Sequence, residues 1–210
     1  MTRKIAALLV FLAWPLQALA DMHPYMGLDV AASSGHISMT DVSGKRTGFG
    51  TSGMLGGAFI GVGSLIVPHF WLAGEVMGDF SSSRSGTKNI RAAGHASTGR
   101  FRARYGYTVS LIPGYRFSEL FMLYARFGIG QTRFAYTQSV PPATASGSTD
   151  SNPVGGAVFG VGVQFRLGPA FHLRGEYDRE VYRHFTTFGN RAMPVENQFH
   201  LGLLYDFGGI

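Results

Sequence analysis

The residues best equipped for chemistry are cations. Arg84, Lys88, Arg91, Arg100, Arg102 and Arg104 crowd one polar stretch, residues 81–104, that contains no acid. A guanidinium presents a planar fork of donors that matches phosphate with two hydrogen bonds, so the pattern points to a phosphorylated or otherwise polyanionic partner. The plainer alternative is a solvated loop whose charge aids solubility. A nucleophile and base could be assembled from His184, Thr186 and Glu196, but that needs hydrogen-bond contact between them, and their spacing gives little support. Gly48-x-Gly50-x-x-Gly53 matches a dinucleotide fingerprint as a string, yet no strand precedes it and no helix follows to hold a pyrophosphate. The chain has no cysteine, and His36, His69, His95, His172 and His200 show no ligand spacing. No catalytic residue, metal site or cofactor is expected.

A second charged set is sparser. Glu75, Arg126, Arg174 and Glu176 are embedded in otherwise apolar or glycine-rich segments. Opposite charges in such surroundings call for an enclosure where they can pair, and the enclosure is legible in the chain. Residues 199–207 read Phe-His-Leu-Gly-Leu-Leu-Tyr-Asp-Phe, apolar on odd positions and small or polar on most even ones. Successive side chains of a strand point to opposite faces. The same two-faced pattern recurs at 25–32, 55–64, 70–80 and 105–116. It recurs again with Phe121, Leu123, Ala125, Phe127 and Ile129, with Ala157 to Leu167, and with Phe171 to Tyr177. Eight strands result, each of about ten residues, which suits a tilted membrane crossing. After Gln131 the apolar parity moves to Phe134 and Tyr136, implying a bulge or the exit of that strand from the membrane. Residues 33–54, 81–104, 138–153 and 183–195 read as long loops, alternating with tight turns near Pro68, Phe117-Ser118-Glu119 and Gly168-Pro169.

Residues 1–20 carry a charged start (Arg3, Lys4), an apolar run from Ile5 to Trp14, and Ala18-Leu19-Ala20 in the small-x-small form of a cleavage site. That is a secretory signal peptide, too short to span a bilayer as a helix. The expected organisation is a cleaved leader over 1–20 and one domain over 21–210. Removing Arg3 and Lys4 takes the basic residues from 18 to 16 against 12 acidic, so the net charge falls from +6 to +4. Charged residues make up 14% of the chain, well under the ordinary quarter, which argues against a large wetted surface.

Alternation alone does not say which face is outside, because a soluble lipocalin-like barrel shows the same period. Three features favour oily side chains outward. The polar parity is poor in lysine and rich in glycine. It carries Glu75, Arg126, Arg174 and Glu176, which can pair in the narrow interior of an eight-stranded barrel. Aromatics (Tyr105, Tyr115, Phe117, Phe121, Phe165, Phe171, Tyr205 and Phe207) gather near strand ends, like interfacial girdles. The fold class is therefore all-β, an eight-stranded antiparallel up-and-down transmembrane β-barrel with four long extracellular loops and three short periplasmic turns.

Pro113-Gly114-Tyr115, Leu123-Tyr124-Ala125-Arg126-Phe127-Gly128, Leu173-Arg174-Gly175-Glu176-Tyr177 and Leu201-Gly202-Leu203-Leu204-Tyr205-Asp206-Phe207-Gly208 resemble the transmembrane domain of OmpA and the wider family of small outer-membrane barrel proteins of Gram-negative bacteria. The likeness covers essentially the whole chain after the leader. It implies an inward ion cluster on Glu75, Arg126 and Glu176, although the family's lysine falls at Ile112 here, so the wiring must differ. His200, Gly202, Tyr205 and Phe207 resemble the C-terminal signal read by the barrel-assembly machinery, with Gly208-Gly209-Ile210 as a departure. The implied location is the bacterial outer membrane. The implied partners are outer-membrane lipid and lipopolysaccharide, the assembly machinery, and host surface or matrix molecules; nucleic acid is excluded by location, and a monomer is expected. The leading expectation is a non-enzymatic barrel with a structural or surface-interaction role, residues 81–104 contacting lipopolysaccharide phosphates. The alternatives are an adhesin or immune-evasion protein of the attachment-invasion type, a small pore, and a lipid A-modifying enzyme using a His184/Thr186/Glu196 set.

Overall fold

A computed structural model describes residues 22–41, 44–92, 95–139 and 148–208, with the side chains of 89–97 excepted. The leader assigned to 1–20 and the Arg91 side chain lie outside the described residues. The elements in chain order are β1 (His23–Thr40), β2 (Arg46–Val67), β3 (Phe70–Ser81), β4 (Arg84–Ser85), β5 (Lys88–Ala92), β6 (His95–Arg116), β7 (Phe121–Ser139), β8 (Ser148–Arg166), β9 (Phe171–Tyr182), β10 (Phe185–Thr187) and β11 (Asn190–Asp206). Eight of them, β1, β2, β3, β6, β7, β8, β9 and β11, form an antiparallel ring that closes through β1–β2 on one side and β1–β11 on the other. Closure removes every strand edge from the hydrocarbon zone, where an unpaired backbone group has no water to bind.

The orientation follows from exposure. Leu28 is 68%, Ile129 71% and Phe80 77% exposed, whereas Arg126 is 1% and Glu75 2% exposed. Lipid covers the first set; the lumen holds the second. Near the short turns the outward aromatics touch in sequence: Phe70 with Tyr115, Tyr115 with Phe117, Phe117 with Phe121, Phe121 with Phe165, then Phe171 with Tyr205 and Tyr205 with Phe207. They form an aromatic girdle at the short-turn end of the barrel. In the first of these turns His69 adopts φ 72°, unusual for a residue with a side chain. Its ring stacks on Tyr115 and its Nδ1 lies 3.0 Å from the Arg116 carbonyl oxygen, which hold it there.

The strands run well past the lipid belt, and here the sequence expectation needs correction. Most described residues of 33–54, 81–104, 138–153 and 183–195, read from the sequence as long loops, lie in strands. β1 continues to Thr40, β2 begins at Arg46, β6 begins at His95, β7 reaches Ser139, β8 begins at Ser148 and β11 begins at Asn190. Ring strands are 12 to 22 residues long rather than about ten. Above the belt the barrel continues as a collar with its polarity inverted. On β1 the outward residues change from Met26, Leu28, Val30 and Ala32 to Ser34, His36 and Ser38, while the inward ones change from Asp29 and Ser33 to Ile37 and Met39. Water replaces lipid outside, so the apolar side turns in. Ile37, Met39, Phe49, Phe101, Tyr136 and Ala192 pack as one cluster, with Phe185 against it; Phe134 stacks on Phe185 and meets Tyr182 edge-on. The Phe134 and Tyr136 anomaly is explained: β7 keeps its alternation, and only the solvent has changed.

The Gly48-x-Gly50-x-x-Gly53 string lies wholly within β2. Other glycines serve the lumen. A Cβ at Gly162 would strike the Tyr124 ring, and one at Gly160 would strike the Asp178 carboxylate. Both sit on β8 opposite crowded inward positions, where only a missing side chain leaves room.

Candidate functional site: an outward basic patch above the lipid belt

β6 must present polar groups to water above the belt and oily groups to lipid within it. A register shift achieves both. Ala103 pairs with Phe134 but Gly106 pairs with Thr132, so Arg104 and Tyr105 together oppose Arg133 alone. This is a β-bulge, and one extra residue flips the face of everything beyond it. Below it the odd residues Tyr107, Val109 and Leu111 face lipid. Above it the odd residues Phe101 and Ala103 are buried in the collar, and Arg100, Arg102 and Arg104 all project outward. The bulge lies on β6; on β7 the change after Gln131 is the other alternative, the exit of the strand from the membrane.

The neighbours extend the patch. Arg84 on β4 pairs directly with Arg102 and is exposed. Arg133 on β7 lies 5.6 Å from the centre of the Tyr105 ring, in cation–π range. Lys88 is exposed at the start of β5. Arg100 donates from Nη2 to Thr87 Oγ1 at 3.3 Å, and among the described residues none of these cations makes an ion pair. Tyr105 pairs with Phe80, an outward belt residue, so Arg104 stands at the rim of the lipid belt, with Arg102 and Arg100 about 7 and 14 Å further along the strand at ~3.4 Å per residue. A row of unneutralised guanidiniums at this height can hold phosphate groups with paired hydrogen bonds. Arg133 escaped the sequence reading. The available signal was its outward parity on β7, usable only once the bulge placed it beside Tyr105.

The inward set converges. Arg126 Nη2 lies 2.6 Å from Glu75 Oε1 and its Nε 3.0 Å from Glu176 Oε1 and 3.7 Å from Asp178 Oδ2. Arg174 Nη1 and Nη2 donate to Glu75 at 2.6 and 3.2 Å. Ser110 accepts from Arg126 at 3.3 Å, and the Tyr25 hydroxyl donates to Glu75 at 3.1 Å. Arg174 also lies 3.9 Å from the centre of the Phe59 ring. Ile112, where the resemblance expects lysine, packs in the apolar ring beneath with Tyr25, Phe59, Trp71, Met122 and Leu204; Arg174 supplies the second cation instead. Above the network His200 meets Asp29 at 2.5 Å, and Tyr182 donates to Glu180 and meets Thr132 at 3.1 Å.

The remaining candidates separate. His184 and Thr186 are exposed at the collar, whereas Glu196 is buried in the lumen and pairs in register with Glu180. Thr186 pairs with Arg191, five positions from Glu196 along β11, about 17 Å at ~3.4 Å per residue. A nucleophile and base do not meet there. Of the C-terminal residues, His200 and Gly202 face inward, while Tyr205 and Phe207 join the girdle.

A closed ring with an oily exterior, a polar collar and an ion-paired interior is a transmembrane β-barrel of the outer-membrane type. The chain belongs to the outer membrane protein beta-barrel domain family, whose profile matches residues 5–207. No curated protein sequence matches it. Among solved structures it is similar to the outer membrane protein OprG of Pseudomonas aeruginosa (TM-score 0.52, 11% identity, covering 89% of this chain and 97% of that one). It is also similar to the outer membrane protease OmpT of Escherichia coli (0.51, 8%, 89% and 97%) and to Ail, the attachment invasion locus protein of Yersinia pestis (0.46, 16%, 89% and 99%). At these identities the likeness concerns the fold.

Proposed function

We propose that this protein is a sealed, non-enzymatic barrel of the outer membrane, exported by its leader, that holds lipopolysaccharide phosphates against its outer wall and so ties the protein to the outer leaflet. The reading rests on one observation: Arg100, Arg102 and Arg104 face outward, without acids, directly above the outward Phe80, Tyr105 and Tyr107. Acyl chains meet the belt and phosphates meet the row. Arg84 and Arg133 widen it. The role is structural, and the same surface is the one open to sulfated host polymers.

The triple change R100Q/R102Q/R104Q tests it. All three side chains are exposed, so the barrel keeps its folded mobility, running differently on gels before and after boiling. Exposed ion pairs are individually weak, but removing three guanidiniums together should lower affinity for purified lipopolysaccharide by about tenfold to a hundredfold. Dephosphorylated lipid A should not distinguish the variant from the parent. Equal binding of lipopolysaccharide by both proteins would leave the row a solvated surface.

The pore alternative meets two seals, the buried Arg126–Glu75–Arg174 network and the collar cluster of Phe49, Phe101 and Tyr136. Planar-bilayer recordings should show no steady conductance. A stable open level would contradict this reading of the lumen.

A further inference from the structure

We propose that the periplasmic mouth of the barrel is a binding site for a small organic anion with an apolar body. A cavity of about 320 Å³ opens between the short turns, at the small end of the range for ligand pockets. Arg116 and Arg166 supply its positive charge, and His23, His172 and Gln164 complete the polar wall.

The cations are unequally engaged. Arg166 donates from Nε to the Gly168 carbonyl oxygen at 3.0 Å and from Nη2 to that of Pro169 at 3.0 Å, so its turn fixes it with donors to spare. Arg116 lies over the Trp71 ring at 5.7 Å, and among the described residues its guanidinium makes no hydrogen bond or ion pair. Its donors therefore open to the mouth rather than to a protein acceptor among the described residues. One acid shares the wall: Asp206 accepts from the Gly208 amide at 2.9 Å and lies 3.7 Å from His23 and 4.0 Å from His172. Glu119, the other carboxylate on the lining, stands exposed on the β6–β7 turn.

Beneath the charged rim the wall changes character. A second void of about 30 Å³, room for about one water, shares Arg116, Met122, Gln164, His172 and Asp206 with the mouth and descends onto Trp71, Ile112 and Leu204. The mouth itself sets Leu120, Phe121, Met122 and Pro169 beside the Arg116 guanidinium, an arrangement complementary to a carboxylate on a ring or a short chain. Acetate would satisfy only the rim, and an amine of the same shape would meet like charge.

Trp71 reports on the site. Once the leader over 1–20 is cleaved, it is the only tryptophan left. Titrating the folded protein in neutral detergent with phenylacetate should give a saturable change in tryptophan emission, with a dissociation constant of about 1 mM or tighter. Acetate and phenethylamine should give none. R116Q should weaken phenylacetate by about tenfold, the worth of one charge-assisted contact, while the folded gel mobility persists. R116K, which keeps the charge, should restore part of the affinity. The proposal is overturned by a linear, unsaturable response, by phenethylamine binding as well as phenylacetate, or by R116Q binding like the parent. None of these outcomes bears on the outward arginine row.

Discussion

Replacing Arg126 by methionine is expected to destabilise the barrel by about 3–5 kcal/mol, the usual cost of removing one partner from a buried ionic set. Arg126 is fully enclosed and lies within 3.7 Å of Glu75, Glu176 and Asp178. Its loss leaves Arg174 as the remaining arginine of the network, already committed to Glu75. Glu176 and Asp178, neighbours on the inward face of β9, are then left side by side without their cation. Refolding into detergent followed by gel mobility should show the denaturant midpoint falling sharply. Adding E176Q to R126M should return part of the loss, because it removes one of the stranded charges. If the single change were nearly silent, water would have to reach this part of the lumen.

The second prediction concerns the bulge. Deleting Arg104 should remove the extra residue and make β6 regular without turning any side chain over. Ala103 would then join Tyr105 directly, keep Phe134 as its partner and stay inward, while Arg102 and Arg100 stay outward. The collar cluster on Phe101 should be kept. The expected result is a barrel that inserts, resists trypsin like the parent, and binds lipopolysaccharide more weakly than the parent but better than the triple glutamine variant, since one guanidinium of three is lost. Cleavage by trypsin at Arg100 or Arg102 would mean that the collar needs the bulge itself to close.

The sequence reveals the belt well and the collar poorly, for one reason. A search for strands that are apolar outward succeeds only where the outside is lipid. Residues 33–40 alternate as regularly as 25–32, with Ile37 and Met39 set against His36 and Ser38, but the pattern changes sides and passes for a polar loop. The bulge is hidden differently. An extra residue exists only relative to a partner's register, and Arg104 looks ordinary until Arg133 is found opposite it. Parity places Glu75, Arg126, Arg174 and Glu176 inside, but it does not show that Glu75 binds both arginines, because β3 and β7 are separated by β6. The mouth is harder still. Arg116 and Arg166 end separate strands, and only closure of the ring brings them to one cavity.

The change of sides along β1 also governs how the chain can drift. Between His23 and Ser33 the even positions must stay greasy and the odd ones must fit the lumen, so each face carries its own constraint. Beyond Gly35 the constraint on the even positions lapses, and Ser38 becomes as free as any wetted residue. Ile37 and Met39, by contrast, are as exacting as a globular core. Permissive substitution should thus follow a stripe confined to the upper rim, where new surface character can evolve while the bilayer-spanning half stays fixed.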